Sequence, residues 1–348
     1  MKDMTLNNLL RHCQLFVLLL LMSGCASLEP VEQIPEYTAP PATSALWGAI
    51  EDASPEDWHA LLNDGPTALD WRLRALDSAT ESIVFQTFLW HFDTAGAMVL
   101  DHVVQAAERG VSVRILVDDT FLVHEDELLL ALAAHPNIEY RVFNPFKRRS
   151  GGLATRQFLN LAEFSRLDHR MHNKAMVVDN RVAIVGGRNI ADEYFGLDED
   201  ANFRDLELVM GGAVVQQISA AFDTYWNDRW TFPIEAISHQ AASPEALDEA
   251  RRVSEASRHL HIEQPPDERL ETWLALVETA APGAALLDED DPPADNPRTR
   301  DECPGPVANR LLPLFDEARQ EIVIVPAYLI PPPVLEGAVT RALERGVR

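Results

Sequence analysis

Residues 171–196, MHNKAMVVDNRVAIVGGRNIADEYFG, decide how the rest of the chain is read. His172, Lys174 and Met176 are two apart, so on a strand their side chains leave one face. Asp179-Asn180 is a tight-turn pair, and Arg181 to Val185 is a β-rich run that pairs back on the first. Such a hairpin carries an imidazole and an ammonium side by side. Gly186 and Gly187 then let a backbone pass close to a ligand, and Asn189 stands where a helix begins. A nitrogen nucleophile, a fixed cation and an amide donor around a tight backbone make a phosphate site. A His-x-Lys pair by itself is usually a solvated strand face. The specificity lies in the combination, His-x-Lys-x4-Asp followed by Gly-Gly-x-Asn.

Directly upstream, residues 146–170 hold Lys147, Arg148, Arg149, Arg156, Arg166 and Arg170 against only Glu163 and Asp168. The whole chain carries a net charge of −26. A basic island leading into His172 either attracts phosphate headgroups or is a loop of solvated charges. The acidic remainder argues against nucleic acid as a partner, because that binding rests on neutralising a phosphate backbone.

Farther back, 68–79 has helical spacing, 82–90 reads as a buried strand, 97–109 as a helix stopped by Gly110, and 111–117 as the next strand. That order implies an α/β fold with a mixed β-sheet flanked by helices. Asp118 and Asp119 close the second strand; they either cap the turn or ligate a metal, and without a companion histidine cluster the cap is favoured. The N-terminal residues 1–24 read as a secretory signal, with Lys2 and Arg11 ahead of an apolar run, Leu15 to Met22, too short to span a bilayer. Residues 25–46 are proline-rich and read as a tether.

Downstream, 203–210 reads as a strand with Asp205 and Glu207 on one face, and 214–226 as an amphipathic helix whose Ile218, Phe222, Tyr225 and Trp226 are most simply core. Residues 237–306 read as a helical and acidic linker, its last part exposed and mobile. From Ala318 to Arg348 the chain echoes Ala79 to Arg114: Ile322-Val323 answers Ile83-Val84, and Glu344-Arg345-Gly346-Val347 answers Glu108-Arg109-Gly110-Val111. The expected plan is one full copy of a fold over 47–236 and the start of a second over 307–348.

The motif resembles the HKD motif of the phospholipase D superfamily. From about Gly65 onward the chain is similar to bacterial cardiolipin synthase-like lipoproteins, on FSRLDHRMHNKAMVVDNRVAIVGGRNIADEYFG and FDTYWN. The resemblance implies a phospholipase D-like fold and a phosphatidyltransferase that exchanges phosphodiesters through a phosphohistidine intermediate, without a metal cofactor. His172 is then nucleophile or acid–base partner, and Lys174 and Asn189 hold phosphate oxygens. Asp179 is structural around the hairpin, and Asp205 orients the imidazole. Phosphatidylglycerol, with phosphatidylethanolamine as a second possibility, is the implied substrate at a membrane surface.

Two motif copies, or two subunits with one each, form one site in that family. A second His-x-Lys is expected near position 408, past Arg348. A hydrolase of the same fold, phospholipase or nuclease, and a non-catalytic lipid-binding protein remain open. Met22-Ser23-Gly24-Cys25 resembles a lipoprotein cleavage box, implying lipidation at Cys25. With Ala26 next, the expected place is the bacterial cell envelope, at the periplasmic face of the outer membrane.

Overall fold

The computed structural model describes residues 28–32, 34–54, 56–292, 305–325 and 331–348. The expected signal segment 1–24, Cys25 and Cys303 lie outside the described residues. The chain runs α1 (Ala45–Ala53), β1 (Trp58–Leu62), α2 (Gly65–Ser78), β2 (Ser82–Thr87), α3 (Thr94–Glu108) and β3 (Ser112–Asp118). It continues through α4 (Asp126–Ala133), β4 (Ile138–Phe143), α5 (Leu153–Leu159), α6 (Phe164–Leu167), β5 (Ala175–Val178), β6 (Val182–Gly186) and α7 (Asp192–Phe195). Then come β7 (Glu207–Gly211), α8 (Val214–Trp226), β8 (Thr231–Pro233), α9 (Ile234–Ile237), α10 (Pro244–Ala256), α11 (Pro266–Thr279), β9 (Ala281–Pro282), α12 (Pro306–Glu317) and α13 (Pro333–Glu344).

The strands form one mixed sheet in the order β8-β4-β3-β2-β5-β6-β7-β1-β9. Strands β2, β3 and β4 run parallel, joined by helices, while β5, β6 and β7 form an antiparallel meander beside β2. Side-chain alternation gives each face its own core. Ile83, Phe85, Val113, Ile115 and Val178 pack under the helices of one layer, with Leu73, Leu76, Val99 and Val103. Val84, Leu116, Val177 and Met210 pack against α8, through Val215, Ile218, Phe222 and Trp226. Each of those large α8 side chains contributes about 1.5–3 kcal/mol by leaving water. The α/β expectation holds, and so does the core reading of the α8 stripe.

The hairpin turn has positive φ at both central residues, 55° at Asp179 and 51° at Asn180, as a type I′ turn requires. The Arg181 N–H closes it on the Val178 carbonyl at 3.0 Å.

Three stretches depart from the sequence reading. Residues 34–44 are not a free tether but a strap laid across α8. Glu36 N–H donates to Asn227 Oδ1 (2.8 Å), and Thr38 donates to Asp223 through both N–H and Oγ1 (2.8 Å each). Arg141 and the Trp226 indole both donate to the Glu36 carboxylate. Proline-rich composition predicts a chain that makes no structure of its own, which is true here; it does not forbid docking on a finished surface.

The helical part of the 237–306 segment is likewise integral. Helix α10 packs on α3 and α4, α11 packs on α1, and β9 pairs with β1 at the sheet edge. Trp273 on α11 is fully buried, edge-on to Trp47 and Trp71. Third, the strand expected from Phe203 begins only at Glu207: Asp205 Oδ1 accepts the N–H of Leu206 (2.7 Å), a local turn that competes with pairing.

The internal echo is visible in geometry. Gly110 and Gly346 both have positive φ, 97° and 83°. Val111 N–H returns to the Ala106 carbonyl, and Val347 N–H to that of Ala342, each at 3.1 Å. The same left-handed cap ends both helices.

Candidate active site

Parallel strands bring their carboxyl ends to one rim of the sheet, and the antiparallel β5 and β7 start at that same rim. Open α/β sheets place ligands at such an edge. Here it gathers Phe88 after β2, Asp118 at the end of β3, His172 and Lys174 ahead of β5, Gly186 and Gly187 at the end of β6, and Asp205 ahead of β7. His172 and Lys174 precede the paired part of β5 rather than lying within it.

Lys174 is buried, and its Nζ lies 3.3 Å from His172 Nδ1 while donating to the His172 carbonyl at 2.8 Å. The Phe88 ring sits beneath both groups, 4.8 Å from the imidazole centroid and 5.5 Å from Nζ. Burial pushes the Lys174 ammonium down to about 8, against the opposing pull of Asp205 and Asp118. Burial, then the Lys174 charge, lowers the His172 imidazole below its ordinary value, with Asp118 opposing. At neutral pH the pair is therefore a neutral imidazole beside a charged ammonium. An ammonium only donates, so the imidazole nitrogen facing it is the unprotonated one and Nε2 carries the hydrogen.

Asp118 holds this arrangement from outside. It caps the turn Asp119–Phe121 by accepting from Thr120 N–H (2.9 Å), accepts from Met171 N–H (3.0 Å), and pairs with Arg170 (2.5 Å). The residue before His172 is thus pinned to the end of β3. Asp119 is wholly buried, accepts from Phe146 N–H (2.7 Å), and pairs with Arg149. Both carboxylates are taken by arginines and backbone.

The basic island is largely internal. Arg149 bridges Asp119 and Asp126; Arg156 donates to the Leu122 carbonyl from full burial; Arg166 pairs with Glu163 and the Asn144 side chain. With Arg170 on Asp118 and Arg156 also 3.8 Å from Asp119, four of the six cations serve buried or half-buried carboxylates. Lys147 and Arg148 remain exposed.

Gly186 and Gly187 permit a close approach, and what approaches is the chain itself. A Cβ on Gly186 would lie 2.3 Å from the Leu206 carbonyl oxygen, and one on Gly187 would lie 2.1 Å from Asp205 Oδ1. Gly187 seats the Asp205 carboxylate, which acts on Lys174, while Gly186 makes room for the chain that leads into β7. Among the described residues the Asp205 carboxylate accepts from the Leu206 N–H and acts on the Lys174 charge, rather than bonding to the His172 imidazole it was expected to orient. Asn189 is buried, its Oδ1 accepting from Leu89 N–H (3.2 Å) and its Nδ2 donating to the Tyr194 hydroxyl (2.8 Å). Its amide ties the segment after β6 to that after β2.

Asp179 lies at the other end of β5, seven residues from His172, or about 23 Å along an extended chain. It is wholly buried and accepts from Trp47 Nε1, Thr80 N–H and Oγ1, Glu81 N–H and Ser82 N–H, at 2.6–2.8 Å. That is a structural anchor for the hairpin and the start of β2. The sequence gives no individual role to Phe88 or to Arg170. Phe88 is swallowed by an apolar run, and Arg170 is one of many cations.

Comparison with known proteins bears on this rim. A family model described as a cardiolipin synthase, phospholipase D-like domain matches residues 73–226. An uncharacterised Helicobacter pylori protein is 35% identical over 230 residues, covering 64% of this chain and 45% of its own length. Cardiolipin synthase C of Escherichia coli is 39% identical over 166 residues, covering 48% of this chain and 34% of its own length. The chain spans less than half the length of these two relatives. Among solved structures, phosphatidylserine synthase from Haemophilus influenzae aligns over 87% of this chain and 64% of its own length, with a TM-score of 0.54 at 14% identity. That likeness concerns the fold.

Proposed function

Because the chain belongs to the phospholipase D superfamily, close to the cardiolipin synthases, we propose that it is a phosphatidyltransferase acting through a phosphohistidine on His172. The observation that carries this reading is the neutral imidazole held against a buried ammonium at the open rim of the sheet.

In the proposed reaction a phospholipid phosphodiester enters with its anionic oxygens toward Lys174. The ammonium leaves His172 Nδ1 for the phosphate, and Nδ1 becomes free to carry the ring hydrogen. Nε2 then attacks phosphorus. The bond from phosphorus to the headgroup oxygen breaks, and its electron pair goes to that oxygen, which takes a proton from a second imidazole. An acceptor alcohol next attacks the phosphohistidine, returns its proton to the second imidazole, and releases His172. The second imidazole comes from another copy of the motif, in the same protein or in a partner chain. Lys174 supplies the fixed positive charge throughout, and Asp205 on its glycine seat keeps that lysine charged.

Phosphatidylglycerol, through its headgroup hydroxyl, is the proposed acceptor alcohol, and a second phosphatidylglycerol or phosphatidylethanolamine is the proposed phosphatidyl donor, in the cell envelope. The test is product analysis by mass spectrometry after incubating the protein, with its second motif copy present in the same polypeptide or a partner chain, with phosphatidylglycerol vesicles. Cardiolipin, with acid-labile phosphorus on His172 that disappears in His172→Asn, is the expected outcome. Phosphatidic acid, or cut DNA with a nucleic-acid substrate, in place of cardiolipin would replace transfer by hydrolysis.

A further inference from the structure

The segment between β4 and the site is built inside out. Over 153–167, α5, the turn Leu161–Glu163 and α6 direct Arg156 and Arg166 inward to buried or half-buried acceptors. The same fifteen residues leave Phe158, Leu161 and Phe164 outward, at 66%, 59% and 63% exposure. A water-facing helix pair has the opposite arrangement, with charges out and rings in. Isolated exposed apolar side chains are common, but three large ones within seven residues mark an interaction face.

The chain itself indicates what covers that face. Leu28, the first described residue, donates its N–H to Glu163 Oε2 at 3.3 Å, and Glu163 lies between Leu161 and Phe164. The strap thus begins at the exposed rings and runs from there across α8 to α1. Cys25 is three residues before Leu28, so covalent geometry keeps it within about 11 Å. The sequence ahead of Leu28 holds the apolar run Leu15 to Met22 and Cys25, so an N-terminus held by either in a bilayer would bring this face to the same surface. The site is close in the fold as well. Arg156 of this segment donates to the Leu122 carbonyl at 2.7 Å, and the adjacent, half-exposed Phe121 packs edge-on against Phe88 at 5.4 Å, the ring beneath His172 and Lys174.

We propose that Phe158, Leu161 and Phe164 form a membrane-docking face that seats the domain on a lipid bilayer with the His172 rim toward it. The face lets three side chains enter the interfacial layer while the arginines beneath stay paired. It rests on the proposed function only for the identity of the substrate in that bilayer.

The test uses the full chain with Cys13→Ser, Cys25→Ser and Cys303→Ser, so that each introduced thiol is the only one, reconstituted in vesicles of phosphatidylethanolamine and phosphatidylglycerol at three to one. A fluorescent probe is attached in turn at Phe158→Cys, Leu161→Cys, Phe164→Cys and, as a control, His259→Cys, which is exposed on another element. Expected is quenching of the first three by lipid-borne nitroxide and shielding from aqueous iodide, with the reverse at position 259. Iodide access at 158, 161 and 164 in vesicles overturns the proposal. So does equal shielding in vesicle-free protein, which would make the face a contact with protein. Turnover is a separate readout: Phe158→Ser with Leu161→Ser and Phe164→Ser should lower activity on vesicles at least tenfold and on a monomeric short-chain phospholipid less than twofold. Comparable losses on both would also count against docking. If the unmutated chain turns over neither substrate, the proposed function falls while the quenching result still stands or fails by itself.

Discussion

The molecule contains two histidine centres whose surroundings are nearly opposite. At the rim, His172 faces an ammonium, stands on an aromatic ring, and is lowered in basicity by burial and that charge. In the helical layer, His261 lies between two carboxylates. Its Nδ1 is 2.8 Å from Asp70 Oδ1 and its Nε2 is 3.1 Å from Asp77 Oδ2, while His102 Nδ1 meets the other Asp77 oxygen at 2.6 Å. Both ring nitrogens of His261 face acceptors, so the ring is a cation, and its pKa is raised to about 9 despite burial. Asp77 is held well below the usual carboxylate range by the two imidazoles. The difference teaches how one residue type is given two jobs. A histidine whose nitrogens are both satisfied by opposite charge is a rivet; one left neutral beside a like charge keeps a lone pair for chemistry.

The sharpest way to break this comparison is to remove each imidazole. His172→Ala is expected to lower turnover by about 10³-fold or more while leaving the melting temperature within a degree or two. A variant that retains a tenth of the activity would move the nucleophile elsewhere. Lys174→Gln is the next step down, expected to cost about 10²-fold through lost charge on the phosphate.

Those two groups also set a pH window. His172 must be neutral, so the rate rises as pH climbs through its lowered pKa. Lys174 must be charged, so the rate falls as pH rises through about 8. A basic limb that persists unchanged in Lys174→Gln would assign it to another group.

His261→Ala should instead unfold the protein more easily, by about 3 kcal/mol, with turnover per folded molecule unchanged. Removing it leaves Asp77 and Asp70 without their shared cation. The folded pKa of His261 lies above its free value of 6.5. Its contribution is therefore complete below that pH and lost as pH rises through about 9, which denaturant titrations at pH 6 and pH 10 would read. The smallest expected effect is on the strap. Thr38→Val removes two side-chain hydrogen bonds, one given to Asp223 and one taken from Arg114, for about 1 kcal/mol.

Much of the scaffold was legible because its signals are local. The strands now seen at 82–87 and 112–118, and the helices at 65–78, 94–108 and 214–226, follow from apolar spacing and from Gly110 as a stop. The Asp179-Asn180 turn follows from residues that tolerate positive φ. What stayed hidden depends on partners far away in sequence. Arginine 149 looks like a surface cation until Asp119 and Asp126 are beside it, and His261 meets Asp77 across 184 residues. Gly187 could be read as a place for close approach, but only the fold shows that the Asp205 carboxylate occupies it. The strap carries no periodicity at all, since its bonds are to α8 rather than to itself.

That strap has a consequence for how the protein is made. Its partners Asp223 and Asn227 lie 185 and 191 residues later than the groups they bind. At about 5–20 residues per second of synthesis, roughly 10–40 s pass between the emergence of Thr38 and that of Asp223. During that interval the N-terminal segment has no surface to dock on and stays available to whatever handles nascent chains. A segment made well before its partners is thus among the last to be fastened.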